Sequence, residues 1–144
     1  MHALGISAGA DRAVIDAVAS AADDCGFATL WVGEHVVMVD RSASRYPYSE
    51  DGVIAVPAQA DWLDPMITLS FIAAASSRIG IATGVLLLPE HNAVVVAKQA
   101  ASLDRLSAGR LTLGVGVSQV AAAAPSAPYE PGVVVVGFSG GTPR

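Results

Sequence analysis

The sequence predicts an α/β fold made of parallel βαβ units, with about four strands. These would form the first half of a (β/α)8 TIM barrel, followed by an irregular C-terminal tail. Two observations carry this: short apolar strands alternate with amphipathic helical stretches over residues 1–118, and the runs of apolar residues are of buried-strand length. A third is spacing. Four units in that span average about 30 residues, the size of one barrel unit, and eight make the roughly 250 residues of a closed barrel. An open doubly wound sheet is the alternative.

The elements follow in order. Leu4 to Ser7 reads as a first strand. Asp11 to Asp24 reads as a helix with Val14, Ile15, Val18 and Ala22 on one face and Gly26 as its stop. Thr29 to Val32 is a second strand, ending at Gly33-Glu34-His35. Val36 to Leu63, with Arg41, Arg45, Tyr46, Tyr48 and Trp62, reads as a long loop bordering the substrate side of a pocket. Asp64-Pro65 opens a second helix, because Asp accepts orphan N–H groups and Pro is tolerated at the first helical position. Ile79 to Leu88 is a third strand, in which Gly84 marks a bulge or a close approach by a ligand. A third helix covers Ala93 to Ser107, with Ala97, Ala100, Leu103 and Leu106 on one face and Gly109 as its stop. Leu111 to Val117 is a fourth strand.

Composition narrows the function classes. The chain has 144 residues, 53% of them apolar and only 15% charged, with mean hydropathy +0.53. That excludes overall disorder. No apolar run reaches the ~18 residues of a membrane span. The start has no basic then apolar leader pattern, so a cytoplasmic protein is expected. Net charge −5 argues against nucleic acid as a partner, and the single Cys25, read as a packing residue, precludes an intrachain disulfide. His2, His35 and His91 show no metal-ligand spacing, so no metal is expected.

In α/β sheets chemistry sits at the carboxyl ends of strands. Those ends carry Ser7, Glu34, His35, Gly84, Val85, Gly116, Val117 and Ser118. His35 follows a buried strand and could transfer a proton near neutral pH. Glu34 alternates to the other side, where a salt-bridged carboxylate is the simpler role. Gly114-Val115-Gly116-Val117 could let backbone N–H groups approach a phosphate or a flat ring, but Gln119 breaks the dinucleotide pattern. Lys98, Asp104, Arg105 and Arg110 read as exterior charges.

Taken together, GFATLWVGEHVVM, RYPYS, WLDPMITLSFIAAASSRIGIATGVLLLP and HNAVVVAKQAASLDRLSAGRLTLGVGV resemble the amino-terminal half of the luciferase-like monooxygenase superfamily. The resemblance covers roughly residues 4–117 and is nearest to the F420-dependent oxidoreductase branch. It implies a barrel whose strand ends hold coenzyme F420, or alternatively FMN. Hydride would pass between that ring and a small organic substrate. It implies His35 and Glu34 as catalytic residues beside the ring, a non-proline cis bulge at Gly84-Val85, and Ser7, Gly116, Val117 and Ser118 near the cofactor. The expected domains are 1–118, a partial barrel, and 119–144, a tail outside the family pattern. Ser118-Gln119 and the Pro/Ala stretch that follows depart from that pattern, as a frameshift or early stop would produce. Such a chain is expected to bind cofactor weakly alone, and to form homo-oligomers or aggregates through open sheet edges. A non-catalytic half-barrel interaction subunit is a further alternative.

Overall fold

A computed structural model describes residues 3–38, 50, 52 and 56–116, together with the backbone of Val134–Gly137. Three helices and a four-stranded sheet make up these residues: α1 (Arg12–Asp24), β1 (Thr29–Val32), α2 (Pro65–Ala74), β2 (Gly80–Leu87), α3 (Ala93–Leu106), β3 (Leu111–Gly116) and β4 (Val134–Gly137). The sheet order is β1-β2-β3-β4. β1, β2 and β3 pair in parallel, as expected of βαβ units, and β4 adds antiparallel to β3. Among the described residues, no helix is long and apolar enough to cross a membrane.

Local chemistry sets the helix ends. Asp11 accepts from Ala13 and Val14, Asp64 from Ile67, and Asn92 from Val94 and Val95. Each side chain satisfies N–H groups that the first turn leaves without partners. Gly26 (φ 74°) and Gly109 (φ 80°) leave α1 and α3 in the left-handed region, where glycine carries no Cβ penalty.

The first predicted strand does not form. Gly5 sits at φ 81° and Ser7 at φ 49°, so the backbone turns into a 3₁₀ segment, Ser7–Ala10. Among the described residues, an isolated antiparallel bridge, Ile6 to Trp62, is what remains of the extended pattern. Gly5 is the sequence signal that a four-residue apolar run could not override.

One face of the sheet meets the helices. Val32, Ile81, Leu111 and Leu113 pack with Ile15 and Ala19 of α1, Met66, Leu69 and Ile72 of α2, and Ala100 and Leu103 of α3. The apolar faces of the helices match the expected ones in part: Ile15, Ala22, Ala100 and Leu103 are buried. In α1 the buried residues are Ile15, Ala19, Ala22 and Asp23, while Val14 and Val18 are exposed. In α3 Val96 replaces Ala97, and Leu106 is 84% exposed. Cys25 is exposed as well, and not a packing residue.

Two charged groups lock the sheet's amino end. Asp23 accepts from the Ser77 N–H and hydroxyl and from the N–H groups of Arg78 and Ile79. These donors, the Ser77 N–H foremost, hold its carboxyl well below the usual carboxylate range despite burial. Arg110, expected on the exterior, instead threads its guanidinium among five acceptors. They are the carbonyls of Ala73, Ser76, Ile79 and Ser107 and the Ser76 hydroxyl. It thus ties the end of α2 and the entry to β2 to the start of β3.

Candidate functional site

The site lies at the carboxyl ends of β1, β2 and β3. Alternation along the strands puts Trp31, Gly33, Ala82, Gly84, Thr112 and Gly114 on the face opposite the helices. Its residues are small apart from Thr112 and Trp31, and Trp31 is 52% exposed. A Cβ added at Gly84 would lie 3.1 Å from Trp31 Cε3, and one at Gly33 would lie 3.4 Å from the Gly84 carbonyl oxygen. The indole therefore lies over the Gly84 backbone, while Gly33 abuts the Gly84 carbonyl.

β2 is irregular here. Its register with β3 shifts between Thr83 and Leu86, and the Gly84–Val85 peptide is cis, where the resemblance implied it. Thr83 bridges the interruption: its hydroxyl donates to the Gly114 carbonyl at 2.9 Å and accepts from the Gly114 N–H at 3.0 Å. The strands then approach too closely for side chains. A Cβ on Gly114 would sit 2.3 Å from the Thr83 carbonyl oxygen, and one on Gly116 would sit 2.6 Å from Val85 Cγ2.

His35 is half-buried beyond the end of β1. Its ring meets Trp62 edge-on, with centroids 4.5 Å apart and planes at 67°. The Trp62 Nε1–H donates to the Gly33 carbonyl at 3.3 Å, which brings this pair to the strand end. Burial pushes the His35 imidazole below its ordinary 6.5, against the opposing pull of Glu90 and Glu34. The neutral ring is therefore ready to accept a proton near neutral pH. We expect the His35 ring to titrate below pH 6.5 by NMR, and Trp62→Ala to move that titration upward. The unfolded chain protonates first, so this group's contribution to stability is complete above pH 6.5 and is lost as pH falls. A titration at or above 6.5 would contradict this geometry.

Glu34 is buried and fully engaged. Its Oε2 accepts from the Leu87 N–H, and its Oε1 lies 2.8 Å from His91 Nε2. It joins the end of β1 to the turn after β2. Ser7 sits on a turn and not at a strand end, with its N–H donating to the Asp61 carbonyl at 2.8 Å. Leu63 likewise donates to the Gly5 carbonyl, so the amino-terminal turn is sewn to the Trp62 segment. Gly84, Val85 and Gly116 gather at the bulge. Val117, Ser118, Arg41, Arg45, Tyr46 and Tyr48 lie outside the described residues. His91 was missed by sequence reasoning as a site residue. Its signal was its place just past the third strand's carboxyl end.

The sequence model of the luciferase-like monooxygenase family matches residues 2–128. An uncharacterized protein of Mycobacterium bovis is 36% identical over 107 residues, which make up 74% of this chain and 38% of that protein. The 4-hydroxyprotoasukamycin monooxygenase of Streptomyces nodosus subsp. asukaensis is 36% identical over 98 residues, 68% of this chain and 21% of that enzyme. Among solved structures, a monooxygenase from Streptomyces bottropensis aligns with TM-score 0.54 at 28% identity, covering 76% of this chain and 28% of that one. The oxygenating constituent of 3,6-diketocamphane monooxygenase from Pseudomonas putida, in complex with FMN, aligns with TM-score 0.53 at 20% identity. It covers 74% of this chain and 24% of that one, and shows likeness of fold. The chain thus spans about two fifths or less of the length of these relatives. The matched span contains the parallel strands, the bulge at Gly84 and the Glu34-His35 pair, and the chain belongs to the luciferase-like monooxygenase family.

Proposed function

We propose that this chain supplies the opening strands of a flavin-dependent monooxygenase site that holds FMN and acts on a small organic substrate. The observation that carries this is the half-exposed Trp31 indole, which lies over the backbone of Gly84 and Gly114 at the strand ends. It offers a flat apolar face of the kind against which a planar ring can stack. The FMN bound by the Pseudomonas relative, and the monooxygenase activity named for the Streptomyces enzyme, support FMN over F420. A reduced flavin bound there would supply the electrons that activate molecular oxygen.

The chain's own residues would do the rest. Gly84 and Gly114 would let the Trp31 indole lie close against the strand backbone, leaving its exposed face for the ring. Trp31 and Trp62 would limit water around it. His35, neutral near pH 7, would accept or return a proton at the substrate side. Glu34, with both oxygens engaged, would fix the backbone that aims His35.

The discriminating experiment is a fluorescence titration of the purified chain with FMN and, in parallel, F420. The reading expects saturable binding of FMN, tighter than that of F420. Binding of F420 alone would transfer the site to deazaflavin chemistry, and binding of neither would contradict the proposal.

A second reading, a half-barrel subunit that pairs with another chain, is favoured by one observation: β1 lies at the edge of the described sheet beside the exposed Trp31. Size-exclusion chromatography of the same sample separates the two. A discrete oligomer that binds no flavin supports this second reading.

A further inference from the structure

We propose that His91 is a positioning residue for the strand-end site, acting through Glu34 to fix where His35 points. This deepens the flavin-site reading and rests on it. Glu34 is the residue next to His35, and its side chain is 3% exposed. A carboxylate so buried needs partners for both oxygens. The Leu87 N–H fills Oε2, and His91 Nε2, at 2.8 Å, fills Oε1. The His91 ring is itself mostly covered, at 21% side-chain exposure. Its backbone N–H donates to the Leu88 carbonyl at 3.1 Å, which closes the 3₁₀ turn Leu88–Glu90 that follows β2.

The result is a clamp across two strand ends. The chain leaving β1 is held through Glu34, and the chain leaving β2 is held through Leu87 and His91. Between them lie Gly33 and the Gly84 carbonyl, which a Cβ at Gly33 would approach to 3.4 Å. With the Leu87 N–H committed to one oxygen, the other accepts from His91 only if the ring carries its proton on Nε2. His91 is therefore held as one tautomer. It touches neither substrate nor cofactor in this scheme. Its part is to keep Glu34 from swinging, and with it the backbone of His35.

The test uses the isotope-labelled chain and three variants, His91→Ala, His91→Gln and Glu34→Gln. His91→Ala is expected to shift the His35 ring and Leu87 amide resonances and to weaken FMN roughly tenfold, the equivalent of one charge-assisted hydrogen bond. His91→Gln keeps an N–H donor within reach of Glu34 and is expected to restore most of both. Glu34→Gln supplies a signature that mere packing would not. Its amide oxygen can still accept from Leu87, while its NH2 donates to His91 and flips that ring to the Nδ1–H tautomer, read from the ring 15N shifts. Should His91→Ala fail to fold, the tautomer flip in Glu34→Gln decides the question. A lowered melting temperature with His35 and Leu87 unmoved, or an unchanged His91 tautomer in Glu34→Gln, overturns the assignment. If the wild-type chain binds no FMN, the flavin reading fails, yet the clamp is still judged by the His35, Leu87 and His91 resonances.

Discussion

Arg110→Met is expected to destabilise the chain by about 3–5 kcal/mol, enough to remove most of a small domain's margin. The guanidinium donates to five acceptors within 2.7–3.3 Å, four of them backbone carbonyls from three separate segments. Methionine fills similar volume but donates nothing, so half-buried carbonyls of Ala73, Ser76 and Ile79 lose their partner. Hydrogen bonds from a charged donor are worth about 1.5–3 kcal/mol each, and they do not add fully because the acceptors share one fork. Arg110→Lys keeps the charge but not the planar fork, so it should recover less than half of the loss. Lys98→Met on the exposed face of α3 is the control, and should stay within about 0.5 kcal/mol of the parent. Urea unfolding followed by circular dichroism reads all three. An Arg110→Met chain as stable as the Lys98→Met control would refute the role assigned to Arg110.

Gly114→Ala is expected to cost about 3–4 kcal/mol, although it adds a single methyl group. The new Cβ would lie 2.3 Å from the Thr83 carbonyl oxygen, a backbone atom with no rotamer to relieve the contact. β2 and β3 would have to separate there. Overpacking alone costs typically 1–3 kcal/mol. Separation would also loosen the two bonds between the Thr83 hydroxyl and Gly114, each worth about 1 kcal/mol. The damage would fall on the bulge beside Gly84, so flavin affinity should fall with stability. Thr83→Val, which removes the two hydrogen bonds and leaves the space intact, should cost less than Gly114→Ala. Equal losses for the two variants would place the cost in the hydrogen bonds and not in the close approach of the strands.

The parts of the fold that were legible in the sequence depend on neighbours in the chain. Asp64-Pro65 starts α2 because the cap and the capped N–H groups lie within three residues. Gly26 and Gly109 end helices because their own backbone requires a positive φ. The bulge at Gly84 was legible for a similar reason: a glycine in a bulky strand has few other uses. The Leu4–Ser7 strand failed because strand pairing is not local. No neighbouring strand takes that segment in the described residues, and the Gly5 turn prevails. The helix faces were legible in part: Ile15, Ala22, Ala100 and Leu103 are buried as expected, but Val14, Val18 and Leu106 are apolar by composition while burial is set by the sheet beneath. Arg110 and Asp23 resemble surface charges in sequence. Apart from Ser107, their partners lie 31–37 and 54–56 residues away, beyond any local pattern. The pairing of Glu34 with His91, 57 positions apart, was hidden for the same reason.

The central claim is that the ends of β1, β2 and β3 form a flavin-facing surface. An amide NMR titration of the 15N-labelled chain with FMN tests it most directly, since it also registers weak binding. The account predicts shifts concentrated at Gly33, Glu34 and His35, at Gly84 and Val85, and at Gly114 to Gly116, with the outer faces of α1 and α3 unmoved. Shifts confined to the helices, or none at millimolar FMN, would contradict it.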